Sequence, residues 1–160
     1  MNKWELEYFA GYSARLERMH GMLLGRFDKA AAGLQFMAGM TICVDIANTK
    51  WAGGLMAILS VATFVLQPGT KAAEALNQAR AYQAFVMRVK SLGIGQAREE
   101  FAGIQTGDSV VLGALCNAAE YGELVRLGAT PPFQLSIRER ILAWLGGDLP
   151  KRPLGQPQSV

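Results

Sequence analysis

Histidine and cysteine are scarce in this chain of 160 residues: one histidine, His20, and two cysteines, Cys43 and Cys116. A zinc or haem site needs several such side chains at short spacing, and no C-x-x-C or H-E-x-x-H occurs. Cys43 and Cys116 have apolar neighbours and read as small hydrophobes in a reducing compartment. His20 has no ligating neighbour. Phosphate-binding loops are lacking too: there is no G-K-[ST], and GIGQA (93–97) has neither the preceding strand nor the third glycine of a dinucleotide loop. Glu99–Glu100 and Glu120/Glu123 pair carboxylates in sequence only and read as solvated helix faces. No catalytic residue, metal or cofactor is expected, and the chain does not read as an enzyme.

Charge is low as well. Charged residues make up 18% of the chain against 51% apolar, with a net charge of +3; soluble domains usually hold about 25% charged residues. Lys and Arg are spread from Lys3 to Arg152 with no basic run and no interleaved aromatics, so nucleic acid is not an expected partner. Residues 1–29 carry Lys3, Glu5, Glu7, Arg15, Glu17 and Arg18, leaving no room for the apolar core of a signal peptide. The amino terminus is therefore expected in the cytoplasm. Alternating apolar and polar residues occur nowhere over a useful length, which removes strands and leaves an all-α fold.

Against these absences stands one apolar region, residues 30–66. No charge falls between Ala30 and Val44 or between Trp51 and Thr70, and Asp45 and Lys50 flank the short connector. The spacing predicts a transmembrane hairpin with spans Ala30–Ile46 and Trp51–Leu66, about 17 and about 16 residues, or roughly 25 Å each. Spans this short cross with local bilayer thinning, or with Lys29, Asp45, Lys50 and Lys71 reaching the interfaces beside Trp51 as an aromatic anchor. Pro68-Gly69 is expected to close the second span. Arg15, Arg18, Arg26 and Lys29 precede the hairpin and Lys71, Arg80, Arg88 and Lys90 follow it, so the positive-inside rule places both termini in the cytoplasm. The competing reading buries 30–66 in a soluble helical bundle. Two adjacent helices apolar nearly all round leave too little polar chain to cover them, which favours the membrane.

Polar and small residues line one face of each span. Gln35, Ala38, Thr41, Asp45 and Asn48 form one stripe; Gly53, Ser60, Thr63 and Gln67 form the other. Gln35, Thr41, Asp45, Asn48, Ser60 and Thr63 are candidates either for helix–helix packing or for lining a water-filled path in an oligomer.

The hairpin divides the chain. Residues 1–29 read as an amphipathic segment, one helix over 3–27 with Trp4, Tyr8, Phe9, Tyr12, Leu16 and Met19 at helical spacing, free to continue into the first span. Residues 70–147 read as a cytoplasmic helical region: one helix from an N-cap at Thr70 to Gly93, a short one over 95–103, one over 108–127 capped by Thr106 or Asp108 and ended by Gly128, and one opened by the capping box Ser136–Glu139 and stopped at Gly146-Gly147. Residues 148–160 are proline-rich and polar and are expected to be disordered.

This layout resembles the SLATT family, two-helix membrane effectors of bacterial conflict systems. The similarity runs from Arg15 to Val89: a basic amphipathic helix with Arg15, Arg18, His20 and Arg26, two spans with a very short connector, the exit Leu66-Gln67-Pro68-Gly69, and a helix with Ala72, Ala79, Tyr82 and Phe85. Residues 93–147 carry no matching feature. The resemblance implies an effector that forms a homo-oligomer in the bacterial inner membrane and permeabilises it, with the lipid bilayer and a separate sensor or nucleotide-signalling protein as partners. Two other classes remain: a holin-like or assembly membrane protein of a phage or plasmid, and a soluble helical-bundle adaptor.

Overall fold

The computed structural model describes the backbone of residues 1–44 and 49–149 and the side chains of 1–41 and 51–149. These residues form six α-helices and no strand: α1 (Lys3–Val44), α2 (Thr49–Leu66), α3 (Pro68–Arg88), α4 (Ile94–Gln105), α5 (Cys116–Arg126) and α6 (Ile137–Leu145), with a 3-10 turn at Gly113–Leu115 before α5. The all-α expectation holds. The amphipathic helix of the first segment continues into the predicted first span, a course its sequence reading left open. It runs without a break into the apolar region as one helix of 42 residues, roughly 63 Å long at 1.5 Å per residue.

Small residues on two helices set the frame. α3 returns antiparallel to α1, with Ala72, Ala75, Ala79, Tyr82 and Phe85 buried along one stripe. A Cβ placed on Gly21 would lie 2.9 Å from the Ala72 carbonyl oxygen, 2.9 Å from Leu76 Cγ and 3.3 Å from Ala75 Cβ. The backbones approach this closely only because neither side carries bulk. Larger side chains fill the end distant from the hairpin: Leu6, Ala10 and Ala14 pack with Tyr82, Phe85 and Val89, and α4 closes that end with Ala97 and Phe101. The Phe101 ring lies 6.0 Å from Tyr82 and 5.7 Å from Phe85, within the range of favourable aromatic pairs. A second cluster joins Leu16 and Met19 of α1 to Leu115, Ala118 and Ala119 around α5 and to Ala143 of α6.

The exit from α2 differs from the expected cap. Thr70 lies inside α3, whose N-cap is Gln67 in the left-handed conformation (φ 46°, ψ 50°) with Pro68 in the first turn. A residue before proline is disfavoured in the right-handed helical region, and here it takes the left-handed one, at a cost of roughly 1–2 kcal/mol. The hydrogen-bond ladder resumes on both sides: Gln67 N–H donates to the Thr63 carbonyl at 3.0 Å and Lys71 N–H to the Gln67 carbonyl at 3.1 Å. Pro68-Gly69 thus redirects the chain without a loop.

The helix expected over 108–127 forms only from Cys116. Tertiary bonds claim the residues before it. Asp108 Oδ1 accepts from the Tyr82 hydroxyl at 2.6 Å and from Gln78 Nε2 at 2.9 Å, and Ser109 N–H donates to Glu17 Oε1 at 2.8 Å. Neither Thr106 nor Asp108 is the N-cap of α5: Thr106 is the C-cap of α4, and Asp108 pins the loop to α3. Gly128 (φ 77°) and Gly147 (φ 74°) end α5 and α6 as expected. Ala129 N–H reaches the Leu124 carbonyl and Asp148 N–H the Ala143 carbonyl, satisfying the last turns. The capping box of Ser136 and Glu139 is formed.

Gly21→Ala should lower stability by about 1–2 kcal/mol through overpacking against a backbone carbonyl that cannot yield, even after the gain in helix propensity. Gly33→Ala, with nothing within 4 Å of its added Cβ, should leave stability unchanged or raise it. Thermal unfolding of the two variants in one detergent checks the difference.

Candidate membrane hairpin

Beyond Lys29 the two long helices leave the cluster of α4, α5 and α6. The apolar part of α1 and all of α2 pack on each other alone. Ala31 and Ala38 are buried in this contact, and a Cβ on Gly39 would meet Met56 Cε at 3.9 Å. The outward faces carry large apolar side chains with nothing over them: Phe36 is 71% exposed, Trp51 81% and Phe64 79%, with Met37, Ile58, Val61 and Val65 similarly bare. The helical stretch starting at Trp51 is long and apolar enough to cross a membrane; its most apolar window has a mean hydropathy of 1.5 and is 6% buried. Among the described residues it is the one stretch that meets this measure. Of the predicted first span only Ala30 to Val44 lies in the described helix, so Ala30–Ile46 as a whole falls outside this measure.

The candidate stripe residues separate by what they bond. Gln35 Nε2 donates to Ser60 Oγ across the two helices at 3.4 Å. Thr41 donates to the Ala38 carbonyl at 2.8 Å. The Thr63 hydroxyl lies 2.9 Å from the Leu59 carbonyl and 3.1 Å from that of Ser60. Both threonines are thus satisfied within their own helices, and Gln35 and Ser60 join the pair. Asp45 and Asn48 lie outside the described residues, as does the side chain of Lys50. Lys29 and Lys71 are both exposed at the base of the hairpin. Their helices meet there, for a Cβ on Gly69 would lie 3.0 Å from Asp28 Oδ2. Trp51 stands at the opposite end.

Below the base lies a set of buried charges that sequence reasoning missed. Glu123 does not sit on a solvated face: it is 1% exposed. Its carboxylate lies over Gly11, where any Cβ would collide with it, and takes three bonds from the Arg126 guanidinium at 2.6–3.0 Å. The relation is reciprocal, since the Arg15 guanidinium covers Gly122 of α5 and pairs with Asp148. Glycine facing charge across two helices was the available signal, but it needs the pairing of α1 with α5 to be read. Of the other sequence carboxylates, Glu100 pairs with Arg88, and Glu99 is exposed. Cys116 is a free thiol, half-buried rather than buried.

His20 and Glu17 are buried on α1. Burial pushes the His20 imidazole below its usual range, and the nearby Lys71 ammonium adds to this. His20 Nδ1 has no hydrogen-bond partner. Among the described residues no group of three or more His, Cys, Asp or Glu could hold a metal ion. Glu17 is raised above the carboxylate range by burial, opposed by its bond from Ser109. A carboxyl raised in the folded state stabilises below its unfolded pKa and loses that contribution as pH rises through its folded value. Glu17→Gln should therefore match the wild type near pH 4 and become progressively more stable than it toward pH 7, as read by unfolding midpoints across that range.

Against known proteins, no family model, curated protein or solved structure matches the chain.

Proposed function

We propose that residues 30–66 insert into a bilayer as a two-helix hairpin and that the protein is a membrane effector of the SLATT kind, assembling into homo-oligomers that permeabilise the bacterial inner membrane. The observation that carries the membrane part is the contrast in burial along α1 and its partners. α1 builds a dry core with α3 to α6 at one end, and at the other it and α2 leave Phe36, Trp51, Ile58 and Phe64 uncovered. A large apolar side chain kept in water forgoes about 1.5–3 kcal/mol relative to burial, and a whole domain is stable by only about 5–15 kcal/mol. A bilayer removes that cost along the full length of the extension. The basic residues flanking the base support an orientation with both termini cytoplasmic.

Permeabilisation rests on the resemblance and on the polar stripes. In a ring of hairpins, Ser60 and the stripe of α1 would face neighbours or water, and Asp45 would be the strongest determinant of ion passage. The helical body of α3 to α6 would control assembly in answer to a separate sensor.

Expressed protein should remain in the membrane pellet after an alkaline carbonate wash and be released by detergent; recovery in the soluble fraction without detergent overturns the membrane reading. Reconstituted protein should release an entrapped dye from liposomes, and Asp45→Leu should reduce that release several-fold with insertion intact. Insertion without dye release in either form would leave a membrane protein that is not a pore.

A further inference from the structure

α6 turns its apolar face away from the protein. At 100° per residue Ile137, Ile141 and Trp144 fall within about 60° of one another. Ile137 is 76% exposed and Trp144 64%, and Leu149 joins them around a shallow groove also lined by Arg140. The opposite side of the helix makes the core contacts, with Ala143 buried against Leu16, Met19, Leu115 and Ala118. An apolar face on the outside of a helix whose inner side is already packed calls for a second apolar medium.

Position identifies the medium. Arg26 Nη1 donates to the carbonyl oxygens of Trp144 at 2.9 Å and Leu145 at 2.6 Å. Arg26 precedes Ala30, where the uncharged run of α1 begins, by about one helical turn, or roughly 6 Å. The core residues beneath α6, Leu16 and Met19, lie further from the hairpin along the same helix. Of α4 to α6, α6 is therefore the helix held nearest the apolar extension, through its C-terminal end. Arg138 and Arg140, both exposed, flank the apolar face on either side. Apolar centre, basic flanks and a tryptophan are the composition of a helix that lies in a bilayer interface.

We propose that α6 is a second membrane-contact element: it lies on the leaflet from which the hairpin enters, with Ile137, Ile141 and Trp144 among the upper acyl chains and Arg138 and Arg140 on anionic headgroups. This rests on the membrane reading of residues 30–66. The contact restrains how far the hairpin tilts, because Arg26 ties the end of α6 to α1 just below the bilayer.

The tryptophans allow the two claims to be tested apart. Full-length protein retaining only Trp144 (Trp4→Phe, Trp51→Phe), and a companion retaining only Trp51 (Trp4→Phe, Trp144→Phe), are reconstituted into vesicles of phosphatidylcholine with phosphatidylglycerol. Lipids brominated on the upper acyl chain serve as quenchers. Trp51 should be quenched, which reports the hairpin, and Trp144 should be quenched as well. In the Trp144 protein, Arg138→Gln with Arg140→Gln should weaken the quenching by about twofold, since each basic residue near an anionic surface adds to the attraction. The same pair of substitutions in the Trp51 protein should leave its quenching unchanged. Quenching of Trp51 with none of Trp144 overturns the role of α6 and spares the hairpin. If acrylamide too is then excluded from Trp144, a protein surface or a second copy covers α6 instead of lipid. Absence of quenching at both tryptophans overturns both readings.

Discussion

The close approach of α1 and α3 is the constraint from which the rest of the molecule follows. Gly21 against the backbone of Ala72 leaves no space for a side chain, so the two helices are fixed in register where they meet. That register sets Asp28 beside Gly69 at the base of the hairpin and Leu6 beside Phe85 and Val89 at the far end. α2 then has little choice of position. It is joined to α3 by one left-handed residue, and its far end approaches that of α1 with few residues between, so it must lie along the apolar half of α1. The hairpin is an extension of a frame decided below it.

The buried charges make sense within the same frame. Gly11 and Gly122 allow α5 to lie close to α1, and the hollows they leave admit Glu123 and Arg15 side chains. Each charge is then paired, Glu123 with Arg126 and Arg15 with Asp148. Part-buried pairs of this kind add little net stability, because desolvation offsets the attraction. Removing one partner is costly, however, so they discriminate strongly against other placements of α5. Specificity of docking is the better account of their presence.

Features decided by a few neighbouring residues were legible in the sequence. Gly128 and Gly146-Gly147 stop their helices, and Ser136 with Glu139 forms its box, because each device closes within one turn of chain. The apolar run and its flanking lysines were legible for a similar reason, being a matter of composition along a single stretch. What failed was whatever depends on a partner element. Residues 108–112 have helix-compatible chemistry, yet Tyr82 and Glu17 capture Asp108 and Ser109 from other helices. Glu123 looks like a surface carboxylate until Gly11 is placed opposite. Thr70 is a good N-cap in isolation, but Pro68 starts the helix three residues earlier once Gln67 accepts the left-handed conformation. Of the stripe residues, Gln35 and Ser60 come together, whereas Asp45 and Asn48 fall outside the described residues.

A continuous α1 has a mechanical consequence under the membrane reading. A helix of 42 residues would pass from the helical core into the bilayer without a hinge. A tilt of its apolar half is then transmitted to Glu17, His20 and the α5 contacts on the same rod. The second leg behaves differently, because the junction at Gln67 and Pro68 lacks one amide donor and holds a non-glycine residue at positive φ. Bending is least costly there. A rearrangement of the hairpin would therefore move α2 about this junction while α1 keeps its contacts, at the cost of helix–helix bonds such as Gln35 with Ser60. The rigid leg holds the helical body, and the jointed leg is the one where bending costs least.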